Sequence, residues 1–240
     1  MKIIGLFSQL AGGKDTVANH LVKILNGDFG EPRVGYASNP EYEKLTHDVQ
    51  MEALRDRTVK VELPWKRLGF ADAVKHVFMQ SFNVTWEWIE EWKRKPEIPP
   101  GFDLTVRQGL QHIGDGFRKI QSDVWIRTAL RNGDHSIISD GRYLNEAKMI
   151  REQGGFNVLL WRKNFENNDP NPSESQIRPY IDFAAMHYGE GPISDLPLIG
   201  PHPAGFEYFD YFLINNGTIK DLYGKINDGL MHYLQETGIK

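Results

Sequence analysis

Residues 3–16 read Ile-Ile-Gly-Leu-Phe-Ser-Gln-Leu-Ala-Gly-Gly-Lys-Asp-Thr, and no other stretch limits the folds open to this chain as strongly. The apolar run Ile3 to Phe7 reads as a buried strand, Ser8 to Gly13 as a turn, and a helical pattern starts at Lys14. Glycines in such a turn let successive backbone N–H groups converge, and the helix behind it adds its positive end, so the segment is a candidate anion cradle. The phosphate-binding pattern is Gly, four residues, Gly-Lys, then Ser or Thr. Here Ser8 takes the first glycine position and Asp15 the hydroxyl position, while Gly13 and Lys14 keep theirs and Thr16 brings a hydroxyl one residue late. A bare Gly-Gly-Lys is more often an ordinary turn; the strand before it and the helix after it favour phosphate binding. Gln9, Leu10, Ala11, Gly12, Gly13, Lys14, Asp15 and Thr16 are therefore candidate nucleotide contacts.

The rest of the composition narrows the chemistry. The net charge of −4 over 240 residues gives no surface built for a nucleic-acid backbone, so a phosphate ligand must be met by a local cluster. Cysteine is absent, which excludes disulfides, thiolate metal sites and cysteine nucleophiles. The eight histidines form no His-x-x-x-His pair. No signal-peptide core is visible and no apolar run approaches the ~20 residues of a membrane span, so a cytoplasmic protein without membrane contact is expected.

Buried-strand candidates follow at Leu68–Phe70, Ser136–Ser139, Asn157–Trp161 and Phe209–Ile214, with helical patterns between them, which implies an α/β fold: a parallel sheet with helices on both faces. Helices are expected over Ala71–Phe82, around Trp86–Trp92 behind a Thr85 cap, over Leu104–Ile113 with Gly114 to Gly116 as its stop, after Ser122 and Asp123, over Leu144–Gln153, and around Leu222, Ile226 and Leu230. Trp88 and Trp92 sit one turn apart, either as core packing or as a wall for a nucleobase. Residues 28–66 read as an insertion. Residues 163–205 hold seven of the thirteen prolines and read as a surface excursion of the kind that covers a ligand. The whole is read as one domain, with a helical region over about 71–132.

Ligands of parallel sheets bind beyond the strand C-termini. The segments there are the loop to Thr16, Ala71 to Lys75, Asp140 to Arg142, Arg162, and the turn Asn215-Asn216-Gly217. Phosphoryl transfer needs substrates held in line and cations on the developing charge, which suits this inventory. Lys14 is placed for donor phosphates. Asp140 is either a magnesium carboxylate or a helix cap, and Arg142, Arg162 and Arg107 are either phosphate clamps or surface ion pairs.

Gly12 to Thr16, Phe70 to Lys75, Val106 to Asp115, Ser139 to Ala147, Leu160 to Arg162, Ser173-Glu174 and Ile214 to Gly217 together resemble the bacteriophage deoxynucleoside monophosphate kinases. The resemblance implies a P-loop nucleoside monophosphate kinase type of fold, ATP as phosphoryl donor, Mg²⁺, a deoxynucleoside monophosphate as acceptor, and a part in supplying DNA precursors. It puts Lys14, Arg142 and Arg162 among the catalytic groups and Asn216 with the nucleotide. Ala71, Lys75, Arg107, Gln111, Asp140, Arg142 and Glu174 fall on the acceptor side, and Asp15 and Asp140 by the metal. A homodimer stays open. A dephospho-coenzyme-A-type or other small-molecule kinase would look alike at this level, and an ATP-binding regulator without transfer activity is the reading from another class.

Overall fold

The computed structural model describes residues 2–9, 11–27, 65–131, 135–162, 176–193 and 202–239, and the chain divides into two compact units, Gly69–Asn132 and the remainder. The insertion proposed at 28–66 lies outside the described residues up to Pro64, as do Leu10 and Glu174.

The larger unit is a six-stranded, mainly parallel sheet. Its strands are β1 (Ile3–Phe7), β2 (Lys66–Leu68), β3 (Ser136–Gly141), β4 (Phe156–Trp161), β5 (Gly191–Pro192) and β6 (Tyr211–Ile214), in the order β2-β3-β1-β4-β6-β5. Central β1 pairs in parallel with both β3 and β4, Ile4 lying opposite Ile137 and Phe156. All five of its residues are buried, which is why its sequence is a continuous apolar run rather than an alternating one. Each large aliphatic so buried contributes roughly 1.5–3 kcal/mol.

Alternate side chains of β1 face different helices. Ile4 and Leu6 join Val17, Ala18 and Leu21 of α1 (Lys14–Leu25) and Leu222, Ile226 and Leu230 of the C-terminal helical run in one core. That run comprises α8 (Ile219–Lys225), a π-helical turn (Ile226–Leu230) and α9 (Met231–Glu236). Phe7 instead meets Phe209 edge-on at 5.5 Å, and Phe209 meets Tyr180 at 5.4 Å. Tyr180 belongs to α7 (Arg178–His187), which with α6 (Leu144–Glu152) packs against β4.

Two expectations need correction here. The sheet is not wholly parallel: β5 runs antiparallel to β6 at the edge, where Pro192 lacks the N–H that an inner strand would need. The described middle of residues 163–205 is no surface excursion, because α7 buries Tyr180, Ile181, Phe183 and Ala184 and carries Pro179 in its first turn, where proline is tolerated. Residues 163–175 and 194–201 lie outside the described set.

The smaller unit is helical: α2 (Phe70–Phe82), α3 (Trp86–Trp92), α4 (Val106–Ile120) and α5 (Val124–Arg131). Phe70 is not a strand residue. The Asp72 carboxylate accepts the Gly69 N–H at 2.8 Å and so opens α2 there. Helix α4 starts on a reciprocal Thr105–Gln108 cap and runs through Gly114 and Gly116 to Ile120 instead of stopping at the glycines. Each helical glycine costs about 1 kcal/mol relative to alanine; the Trp125 indole donates to the Gly114 carbonyl at 3.0 Å and helps hold the helix there. Trp88 lies 5.7 Å from Trp92 and 5.4 Å from Phe102, within a cluster around Phe78, Ile89 and Val106, which is the packing reading of the tryptophan pair.

Candidate active site: the glycine loop and the strand ends around it

The turn from β1 to α1 is built from its own backbone and one side chain folded back on it. Ala11 and Gly13 both have positive φ, 56° and 99°, and Gly13 is the residue from which α1 starts. A Cβ on Gly13 would lie 2.5 Å from Asn215 Nδ2, so the position has neither the backbone freedom nor the room for a side chain. Asn215, just past β6, donates to the Gly12 carbonyl at 3.1 Å. In a trans peptide C=O and N–H point opposite ways, so a Gly12 carbonyl held toward Asn215 turns the Gly13 N–H to the other side. The first intrahelical bond runs from Val17 N–H to the Gly13 carbonyl, leaving the amides ahead of it outside the α1 ladder.

Lys14 is buried, and its ammonium donates to the Ser8 carbonyl at 2.8 Å, the Ser8 hydroxyl at 2.9 Å and the Gln9 carbonyl at 3.2 Å. Ser8, which departs from the phosphate-binding pattern, is thus a partner of the lysine, and its hydroxyl in turn donates to the Gln9 carbonyl at 2.8 Å. The arrangement holds a fixed positive charge against a backbone turn at a helix N-terminus. Such a site suits a multiply charged oxyanion.

Beside it, Arg67 in the middle of β2 joins three segments. It donates to Ser139 Oγ at 2.8 Å and to Asn19 Oδ1 at 3.2 Å, and its remaining guanidinium nitrogen pairs with the exposed Asp15 carboxylate. Asp140 is half-buried at the end of β3, next to Ser139. Gly141 follows where β1 and β3 change register, and a Cβ there would meet the Phe7 ring at 2.6 Å. Arg142 comes next, with its backbone fixed: the buried Glu146 carboxylate accepts the N–H groups of Arg142 and Tyr143 at 2.8 and 3.0 Å. Arg162, past β4, and Asn216, past β6, are both exposed.

Ala71, Lys75, Arg107 and Gln111 belong to the helical unit. Arg107 is exposed and Gln111 half-buried, one turn apart on α4. Lys75 is closely engaged: its ammonium is 3.1 Å from carboxylate oxygens of Asp72 and Glu90 and 4.3 Å from the centre of the Trp86 ring. The Glu90 contact is an ion pair rather than a well-directed hydrogen bond. Burial pulls the Lys75 pKa down, but the Asp72 and Glu90 charges outweigh it and leave the amine above the ordinary lysine value.

For a divalent cation, among the described residues no three or more of His, Asp and Glu are grouped to hold a metal ion. Mg²⁺ needs no such cage, since it keeps several waters and is bound through one or two carboxylates and substrate phosphates. Of the two carboxylates expected by the metal, Asp140 is half-buried near the end of β3 and Asp15 is exposed in the first turn of α1.

Sequence reading missed Arg67; it placed Ser8 and Asn215 in the converging segments and Glu146 in a motif, without the contacts that each makes here. For Glu146 a signal was present, since a carboxylate three residues into a helix is half of a capping box. No described helix is long and apolar enough to cross a membrane.

No protein-family profile matches the chain. A protein of Acanthamoeba polyphaga mimivirus, provisionally named a deoxynucleotide monophosphate kinase, is 25% identical over 178 residues, which span 66% of this chain and 79% of the viral protein.

Proposed function

We propose that this chain is an ATP-dependent kinase that transfers the γ-phosphoryl group to a deoxynucleoside monophosphate, producing the diphosphate for DNA synthesis. The observation that carries the reading is the Lys14 ammonium fixed across the glycine loop at the start of α1, with a viral relative named for this activity beside it.

In this reading the Gly12–Thr16 backbone and Lys14 receive the donor phosphates. The bond from the γ-phosphorus to the ADP oxygen breaks as a bond forms to an oxygen of the acceptor phosphate, and charge gathers on the oxygens in passage. Lys14, Arg142 and Arg162 neutralise that charge. Arg107 and Gln111 hold the acceptor monophosphate, and Lys75 with its carboxylate partners orders that part of the helical unit. Asp140 and Thr16 would hold the magnesium ion, whose chemistry is charge neutralisation on the phosphates. Positioning and electrostatics of this kind account for most of the catalysis in phosphoryl transfer.

ATP consumption by the purified protein, measured against the four deoxynucleoside monophosphates, their ribose counterparts and dephospho-coenzyme A, tests the proposal. Turnover with at least one deoxynucleoside monophosphate and none with dephospho-coenzyme A is expected. Turnover with dephospho-coenzyme A alone, or ATP binding with no acceptor used, contradicts it.

A further inference from the structure

The glycine loop carries a residue that should work against it. Asp15 stands directly after Lys14 in the first turn of α1, where the phosphate-binding pattern has a neutral hydroxyl. A carboxylate there complements the helix N-terminus when the cradle is empty and repels an incoming triphosphate across a few ångströms. Arg67 meets this charge. Its guanidinium is anchored from behind by Asn19 and by the buried Ser139, and the nitrogen left over faces Asp15.

The pair is poorly explained by stability. The Asp15 side chain is 76% exposed and that of Arg67 30%, and ion pairs this open to solvent contribute little. A guanidinium held in place by two neutral partners and presented to an exposed carboxylate is instead suited to setting the local field. We propose that Arg67 is a positioning residue of the nucleotide site: it cancels the Asp15 charge so that a loop containing an acidic residue still accepts polyphosphate. This deepens the kinase reading and rests on it.

The test is ATP affinity measured with excess EDTA, so that no metal bound by Asp15 contributes, at low ionic strength where charge effects are least screened. Arg67→Ala is expected to weaken ATP binding roughly tenfold, and Asp15→Asn added to it to restore affinity to within about threefold of wild type. Asp15→Asn alone should bind ATP at least as tightly as wild type. Arg67→Lys keeps the positive charge and should retain most of the affinity, which covers the case of an Arg67→Ala chain that fails to fold. A purely structural arginine would show no rescue by Asp15→Asn. Unchanged affinity in Arg67→Ala, failure of the double variant to recover, or weaker binding by Asp15→Asn alone overturns the proposal. Wild-type protein that binds no ATP overturns the kinase reading itself, and this inference with it.

Discussion

Lys14 Nζ lies 2.8 Å from the Ser8 carbonyl oxygen and 2.9 Å from the Ser8 hydroxyl, closing the glycine loop on itself across six residues. The first residue of α1 and the residue after β1 are thereby tied together, and one cation is held in place against the loop by the chain itself. Preorganisation of this kind saves the ordering cost at the moment of binding and reaction.

Replacing Lys14 with alanine separates that role from folding. The variant should lose about 10²–10³-fold in kcat, the range typical for removing one preorganised electrostatic group. Stability should fall by about 1–3 kcal/mol, because Ser8 is buried and its carbonyl loses the ammonium that it accepts from. Steady-state kinetics beside a thermal melt provide the check, and near-wild-type turnover would remove Lys14 from the chemistry.

Gly13→Ala asks for a different kind of change. The residue has φ 99°, and the new methyl would be built 2.5 Å from Asn215 Nδ2. Left-handed backbone costs a non-glycine residue about 1–2 kcal/mol, and Asn215 would also have to release the Gly12 carbonyl. Denaturant unfolding should show a loss of about 1–3 kcal/mol together with weakened ATP binding. A variant as stable as wild type would mean that the loop is free to rearrange.

Much of this architecture is legible in the sequence, and the parts that are not share a cause. Strands β1, β3, β4 and β6 are buried apolar runs and identify themselves. Strand β5 is two residues long and has no period to detect. Helix α7 is hidden by prolines and by a buried face that ordinary amphipathic spacing does not announce, and the glycines of α4 look like a stop because the contact from Trp125 to Gly114 comes from another helix. Gly12, Gly13 and Lys14 stand out because the local chain builds their geometry. Asn215 meets Gly12 across 203 positions and Arg67 meets Asp15 across 52, and no local pattern encodes such pairings.

The helical unit should respond to pH through Glu90. Burial raises the pKa of this carboxyl, but a hydrogen bond from Lys93 and the charge of Lys75 outweigh it and leave the group below its ordinary value of 4.5. A depressed folded-state pKa contributes stability that is fully present above the unfolded value and is lost as pH falls through the folded one. Glu90→Gln should therefore cost about 1–3 kcal/mol near neutrality, with the gap to wild type shrinking as the pH is taken below 4.5. Urea unfolding followed between pH 7 and pH 3 reads this directly, and a difference independent of pH would contradict the ion-pair account.

The central claim is that polyphosphate binds on the backbone of the β1–α1 turn. Backbone amide resonances of the ¹⁵N-labelled protein, followed as ATP is added, test it at the atoms concerned. The account predicts that the amides of Gly12, Gly13, Lys14 and Thr16 shift most and saturate together. Saturable ATP binding that moves resonances elsewhere and leaves these four in place would contradict it.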